Sequence, residues 1–212
     1  MLKLPKVLGP LLACLIVIAG PAQAFADLSA DDKAQVARAE DYLNTITTLR
    51  AKFLQLDAAG GIAKGDVYLS KPGRMRFEYE PPAQMLVVAD GVWLVFRDKE
   101  LKETTRLPLY STPVSVLLKK DVKLSGDVTV THVEHENGAL RLTVIDTDNP
   151  DEGNIVLIFS DKPLQLRQWL VTDTQGNVTS ISLGNVEQNI ALDPALFTFF
   201  DSDYENNGPV RK

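Results

Sequence analysis

The sequence predicts a mainly β fold of the α+β class: one antiparallel meander of about eleven strands, curling towards closure, with two to three short helices. Three observations carry this. Apolar and polar residues alternate with a period of two over most of the chain, as they do in strands with one dry face. Asp90-Gly91 and Asn137-Gly138 join such runs, and these dipeptides supply the positive φ angles of tight hairpins. Apolar spacings of three and four occur at the start of the chain and once again in its middle.

The first 26 residues have the pattern of a cleaved signal peptide. Lys3 and Lys6 precede an apolar run from Val7 to about Ala19, and Ala22, Ala24 and Ala26 offer cleavage after Ala24 or Ala26. The run is too short for a membrane span. Cys14 is the only cysteine, so a chain cut there uses no disulfide. LLAC around Cys14 loosely resembles an acylation site, but apolar residues continue beyond it to Ala19. One domain is expected over residues 27–205, followed by a polar tail, 206–212. The net charge of −6 and the lack of a basic run exclude an electrostatic footprint for nucleic acid.

In order along the chain, residues 27–50 read as a helix. Ser29 is its N-cap, Asp31 and Asp32 suit the positive end of its dipole, and Val36, Ala39, Leu43 and Ile46 form one apolar stripe. Strands follow near 52–57, 63–70, 74–80, 84–89, 92–97 and 101–106. Thr112-Pro113 opens a second helix, with Thr112 as N-cap and Val114, Leu117 and Leu118 on one face. Five more strands fall near 127–135, 139–146, 154–160, 164–172 and 177–186, with turns at Asp161-Lys162-Pro163 and Gln175-Gly176-Asn177. Asp193-Pro194 opens a short turn or helix ending in Phe197, Phe199 and Phe200.

Nothing in the chain asks for catalysis. No nucleophile elbow, zinc-protease helix or phosphate loop is present. His132 and His135 fall on opposite faces of a strand, and no compact acidic cluster joins them in a metal site. Asp146, Asp148, Asp151 and Glu152 lack the calcium-loop spacing and read as a solvated loop. No cofactor, metal or catalytic residue is expected. A hydrolase built from scattered acids and a lipid or envelope-signal sensor are the rival classes.

The apolar residues say more. In 74–80 the charged Arg74, Arg76, Glu78 and Glu80 alternate with Met75, Phe77 and Tyr79. Residues 85–96 are apolar on both faces. With Asp90-Gly91 as a two-residue turn, Ala89 pairs with Val92, Val87 with Leu94 and Met85 with Phe96, while Val88 meets Trp93 and Leu86 meets Val95 on the other side. Either this is a central hairpin covered by the first helix, or the concave face is a ligand cavity lidded by the helices.

Five segments together resemble the LolA family of periplasmic outer-membrane lipoprotein carriers: FLQ from Phe53, GDVYLSKPGRMRFEYEPP from Gly65, VADG ending at Gly91, TPVSVLL from Thr112 and LDPALFTF from Leu192. The resemblance implies an incomplete, strongly curved eleven-stranded barrel with a helical lid over an apolar cavity. It also implies a carrier that takes acylated lipoproteins from the inner-membrane transporter LolCDE and passes them to the outer-membrane receptor LolB where one exists. On this reading Phe53, Met75, Phe77, Tyr79, Met85, Val87, Leu94 and Phe96 line the acyl-chain cavity. Leu43, Ile46, Val114, Leu117 and Leu118 belong to the lid, and the protein acts as a monomer. The family often has arginine before the proline of KPG, where it can bond the lid; here that position is Lys71, which lacks the planar fork of donors. Glutamate at Met75 or Phe77 is expected to remove binding while the fold survives, because a hollow can hydrate a charge.

Overall fold

The computed structural model describes residues 28–200. The expected signal peptide with Cys14, its two expected cleavage points and the expected polar tail lie outside the described residues.

Helix α1 (Ala30–Thr45) begins as its sequence predicts. The Ser29 hydroxyl accepts from the Asp32 amide at 3.1 Å, and the Asp32 carboxylate accepts from the Ser29 amide at 3.2 Å, a reciprocal capping box. Ser29→Ala is expected to cost about 1 kcal/mol, the usual worth of an N-cap, read as a lower urea midpoint with an unchanged slope. The helix stops five residues earlier than the expected 50, at Thr45. Ile46, Thr47 and Thr48 are β-branched and stiff at χ1, which favours strand, and β1 (Thr48–Leu56) starts there.

The meander continues through β2 (Ile62–Ser70), β3 (Arg74–Tyr79), β4 (Met85–Asp90), β5 (Trp93–Asp98) and β6 (Glu103–Pro108), then β7 (Val128–Glu136), β8 (Ala139–Asp146), β9 (Asn154–Asp161), β10 (Leu164–Thr172) and β11 (Val178–Gln188). They form one antiparallel sheet in the order β6-β5-β4-β3-β2-β1-β11-β10-β9-β8-β7. Every pairing joins sequence neighbours except that of β1 with β11. The edges β6 and β7 do not meet, so the barrel is incomplete. Register shifts between Arg50 and Lys52, Val130 and His132, and Leu166 and Gln168 mark bulges, which sharpen the twist of a sheet and help it curl.

Residues 109–118 leave β6 as two consecutive 3-10 turns, Leu109–Ser111 and Pro113–Leu118, and run towards β7 as a strap. The predicted second α-helix is therefore a 3-10 segment. Thr112 does not cap it through its side chain; its hydroxyl donates back to the Leu109 carbonyl at 2.6 Å. All of Val114, Ser115, Val116, Leu117 and Leu118 are buried, so the strap is inserted into the half-barrel rather than laid on it. Among the described residues no helix is long and apolar enough to cross a membrane.

The 85–96 hairpin is buried on both faces in its middle, at Val87, Val88, Ala89, Leu94 and Val95, while Val92 and Trp93 at its tip are exposed, and its register differs from the expected one. Ala89 pairs with Leu94, Val88 with Val95 and Val87 with Phe96, two positions from the expected pairing. The Asp90 carboxylate accepts from the amides of Val92 and Trp93, both at 2.8 Å, which moves the turn forward onto Gly91-Val92. A shift of two preserves the faces. Met85, Val87, Ala89, Leu94 and Phe96 belong to the concave core or pack on it. Val88 and Val95 are buried on the convex face, outside that core. The 3-10 turn Pro194–Phe197 packs on β3 and β4 there, held by Arg76 Nη1 donating to the Leu196 carbonyl at 3.0 Å.

Candidate functional site

The large residues of β3 face the concave side. Met75 is 3% exposed and Phe77 5%. Phe53 on β1 packs edge-on against Phe77 and Tyr79, with ring centroids 4.9 and 5.0 Å apart, and Phe77 meets Trp169 of β10 at 6.4 Å. Edge-to-face packing of this kind suits the ring quadrupoles. The Tyr79 hydroxyl donates to Gln55 Oε1 at 2.6 Å, and burial pushes its pKa up to about 12, so it stays a neutral donor.

Two spaces on the concave side border the large residues of β3. The larger, about 510 Å³, lies between the strap and the β1–β6 half, within the usual size of ligand pockets. Met75, Phe77, Tyr79, Val87, Leu94 and Phe96 line it, with Val114 of the strap. Trp169, Val171 and Ile181 close its other wall, and Gln55, Thr112, Glu152 and Asp173 also line it. The smaller, about 20 Å³, lies under α1 among Leu43, Ile46, Lys71, Met75, Leu117 and Trp169. Among the described residues lining it Lys71 is the one charged group and the rest are aliphatic apart from Met75 and Trp169, so at this size it is a packing gap. Thus α1 is seated on the sheet, and Met75 and Trp169 divide a filled half from an open half.

Two residues expected to line the hollow, Phe53 and Met85, do not border it, and Leu118 of the strap borders neither space. Phe53 stands behind Phe77 and Tyr79, Met85 is half-buried at the margin of the core, and Leu118 is buried within it. The expectation that glutamate at Met75 or Phe77 spares the fold does not fit side chains so closely packed. Trp169, Val171, Ile181 and Gln55 were not singled out from the sequence. The bulge at Leu166/Gln168 breaks the alternation that would have put Trp169 on the concave face.

Polar bonds tie α1 down along its length. Arg38 Nη2 donates to the Asp161 carbonyl at 2.9 Å and to its carboxylate, whose other oxygen lies 3.5 Å from His135 Nε2. Arg38 holds the Asp161 carboxyl below the usual carboxylate range. Tyr42 accepts from the Leu166 amide at 3.1 Å and from Gln188 Nε2 at 2.6 Å. Asn44 exchanges two bonds with the Val122 backbone, at 3.0 and 2.8 Å. Lys71 Nζ donates to the Leu43 carbonyl at 2.7 Å, in the last turn of α1, where carbonyls lack helical partners and the dipole favours a cation. Lysine thus reaches the helix with a single bond.

Burial lowers the Lys71 pKa from 10.5 to about 8, against an opposing pull from Asp121. Between those two values the unfolded chain keeps a proton that the folded chain has released. Stability attributable to Lys71 therefore rises as pH rises from about 8 towards 10.5. Lys71→Leu is expected to flatten that rise, measured as the difference between urea midpoints at the two ends of the window.

Residues 44–200 match the family described as outer membrane lipoprotein carrier protein LolA. The chain belongs to the LolA family. The match runs from the last turn of α1 through the whole sheet to the C-terminal 3-10 turn, so it covers both walls of the open hollow. The outer-membrane lipoprotein carrier protein of Pseudomonas paraeruginosa is 32% identical over 185 residues, 80% of this chain and 85% of the relative. That of Methylococcus capsulatus is 29% identical over 172 residues, 77% of this chain and 82% of the relative. Among solved structures, a LolA superfamily protein from Nitrosomonas europaea superposes with a TM-score of 0.47 at 11% identity, covering 82% of this chain and 98% of that one. Within this LolA-family chain the KPG segment has a clear local role. Gly73, at φ +77°, donates its amide to the Leu118 carbonyl at 2.8 Å and packs so closely on Gly91 that a Cβ would lie 2.8 Å from its Cα. The tip of the β2–β3 hairpin thereby anchors the end of the strap.

Proposed function

We propose that the mature chain is a periplasmic carrier that shelters lipoprotein acyl chains in its half-barrel. It takes them from the inner-membrane transporter LolCDE and hands them to the outer-membrane receptor LolB where one is present. The observation that carries this reading is the open hollow of about 510 Å³, walled by apolar side chains from both halves of the sheet. Each methylene removed from water is worth about 0.8 kcal/mol, so one long acyl chain is worth on the order of 10 kcal/mol. A lipoprotein therefore does not leave a bilayer unaided, and a carrier must match that shelter without exceeding what its acceptor offers. A flexible-walled apolar hollow with few polar groups suits this task. The seated α1 and the inserted strap make the present state a closed one, and longer or additional chains enter by displacing the strap. The family membership and a signal-peptide pattern at the N-terminus support delivery to the periplasm. The test is release of a lipoprotein from inner-membrane spheroplasts by the purified processed chain. Release into the soluble fraction in complex with the chain is expected; lipoprotein left in the membrane at saturating carrier would sink the reading.

A further inference from the structure

A carrier of acyl chains faces a chemical difficulty that the hollow's apolar walls do not solve. Membrane phospholipids carry the same kind of chain as a lipoprotein and greatly outnumber it. Any discrimination by the carrier itself has to come from whatever stays at the mouth when the chain is inside. Among the described residues lining the open hollow, Glu152 and Asp173 are acidic and none is basic. They are neighbours. Glu152 ends the turn Pro150–Glu152 before β9, Asp173 follows β10, and Asn154 pairs with Thr172 between them. Gly153 is pressed so tightly on this junction that a Cβ would lie 2.0 Å from the Thr172 carbonyl oxygen and 3.4 Å from the Asp173 carbonyl carbon.

We propose that Glu152 and Asp173 make the mouth of the hollow an anionic filter, which turns away acidic phospholipids and admits acyl chains whose attachment is neutral or cationic. The inference rests on the carrier reading and adds to it a basis for selectivity. Both residues are exposed. The Asp173 carboxylate is fixed, accepting from the amides of Gln175 at 2.8 Å and Asn177 at 2.9 Å and from Asn177 Nδ2 at 3.0 Å. Those bonds hold its pKa below the ordinary carboxylate value, so it remains ionised at neutral pH. Glu152 has no salt-bridge partner among the described residues, and exposed Asp151 beside it adds to the same sign. The apolar walls behind the mouth keep the field from being dispersed by water on that side. Screening over about 8 Å at physiological salt confines it to the headgroup position. A phosphodiester at that position meets two carboxylates and no compensating cation; a glyceryl thioether or an amide has no charge to repel.

The test compares two probes with one palmitoyl chain each, monopalmitoylglycerol and palmitoyl lysophosphatidylglycerol, below their micellar concentrations, by calorimetric titration into the processed chain. In low salt the neutral probe is expected to bind on the order of tenfold more tightly, as two charge repulsions across a partly hydrated mouth imply. Added salt shrinks the ratio. E152Q/D173N is expected to bring it within about twofold by gaining affinity for the anionic probe, and E152Q alone, which leaves the Asp173 turn intact, to go part of the way. Equal binding of both probes to the wild type, or a ratio that the double substitution does not move, overturns the filter. Failure of the neutral probe to bind is a different result: it overturns the acyl-cavity reading itself and the filter with it.

Discussion

Gly65→Ala is expected to prevent the chain from reaching a stable native state. Gly65 lies inside β2, paired with Phe53 on one side and Tyr79 on the other. A Cβ there would sit 1.9 Å from the Glu78 carbonyl oxygen and 2.8 Å from Phe53 Cε1. The backbone is not in the left-handed region, so the demand is for space and not for conformational freedom. Overpacking a core commonly costs about 1–3 kcal/mol when side chains can yield. Here the nearest obstacle is backbone, so strands β2 and β3 must part and Phe53 must move off Phe77 and Tyr79. The loss is expected to exceed that range and to consume most of the roughly 5–15 kcal/mol that holds a domain folded. Gly184→Ala is the control: a Cβ there meets nothing within 4 Å and φ is ordinary, so a change within about 0.5 kcal/mol is expected. Urea denaturation of both variants gives the answer, and a Gly65→Ala midpoint equal to wild type would refute the close-approach argument.

Phe77→Ala is expected to cost about 3–5 kcal/mol, the usual range for deleting a buried aromatic ring. Phe77 is both a wall of the open hollow and a partner of Phe53, Tyr79 and Trp169. Phe77→Glu adds the cost of placing a carboxylate against that cluster, partly relieved by water entering from the mouth. Thermal melts should therefore fall for both substitutions, further for glutamate, and acyl-chain binding should be weakened by glutamate and largely spared by alanine. A glutamate variant that melts like wild type would mean that Phe77 borders the hollow alone and that the aromatic cluster holds nothing together.

Much of this architecture is legible in the sequence because strands announce themselves by period and hairpins by turn chemistry. Eleven alternating segments became eleven strands, with most boundaries moved by a residue or two. The largest boundary error, the end of α1, came from reading a helical stripe through Ile46 into a β-branched stretch. The turn at residue 90 was misplaced because Asp90 acts as an acceptor for the amides beyond it, which a dipeptide rule does not weigh. Parity names a face and not a depth. It correctly put Met75 and Phe77 on the concave side but did not show that one space there is filled and the other open. The opposite wall escaped notice because the β10 bulge disrupts the period before Trp169. Glu152 reads in the sequence as part of a solvated loop, Asp173 carries no sequence signal of its own, and only the contact of Gly153 with Thr172 and Asp173 brings Glu152 to the cavity.

The order of the strands also sets how the chain assembles. All pairings but one join sequence neighbours, so β1 to β6 and β7 to β11 are each able to zip up as local ladders. The seam between β1 and β11 is different. Arg50 and Glu187, which form an ion pair across it, are 137 positions apart, whereas Lys52 and Asp66 in the adjoining hairpin are 14 apart. A tenfold longer loop costs somewhat over three doublings of closure entropy, ~2 kcal/mol. The seam should thus form late, as the rate-limiting juncture between two half-built arrays. Until it does, each array holds its greasy side towards water, and the folding polypeptide is at its most aggregation-prone. Truncations along the seam should slow refolding more than truncations in the hairpins, which should instead hasten unfolding. Chevron analysis of Leu49→Ala, whose side chain is at the seam, against Val144→Ala in the β7–β8 hairpin, measures that asymmetry, and equal effects on the two refolding arms would remove the seam from the rate-limiting step.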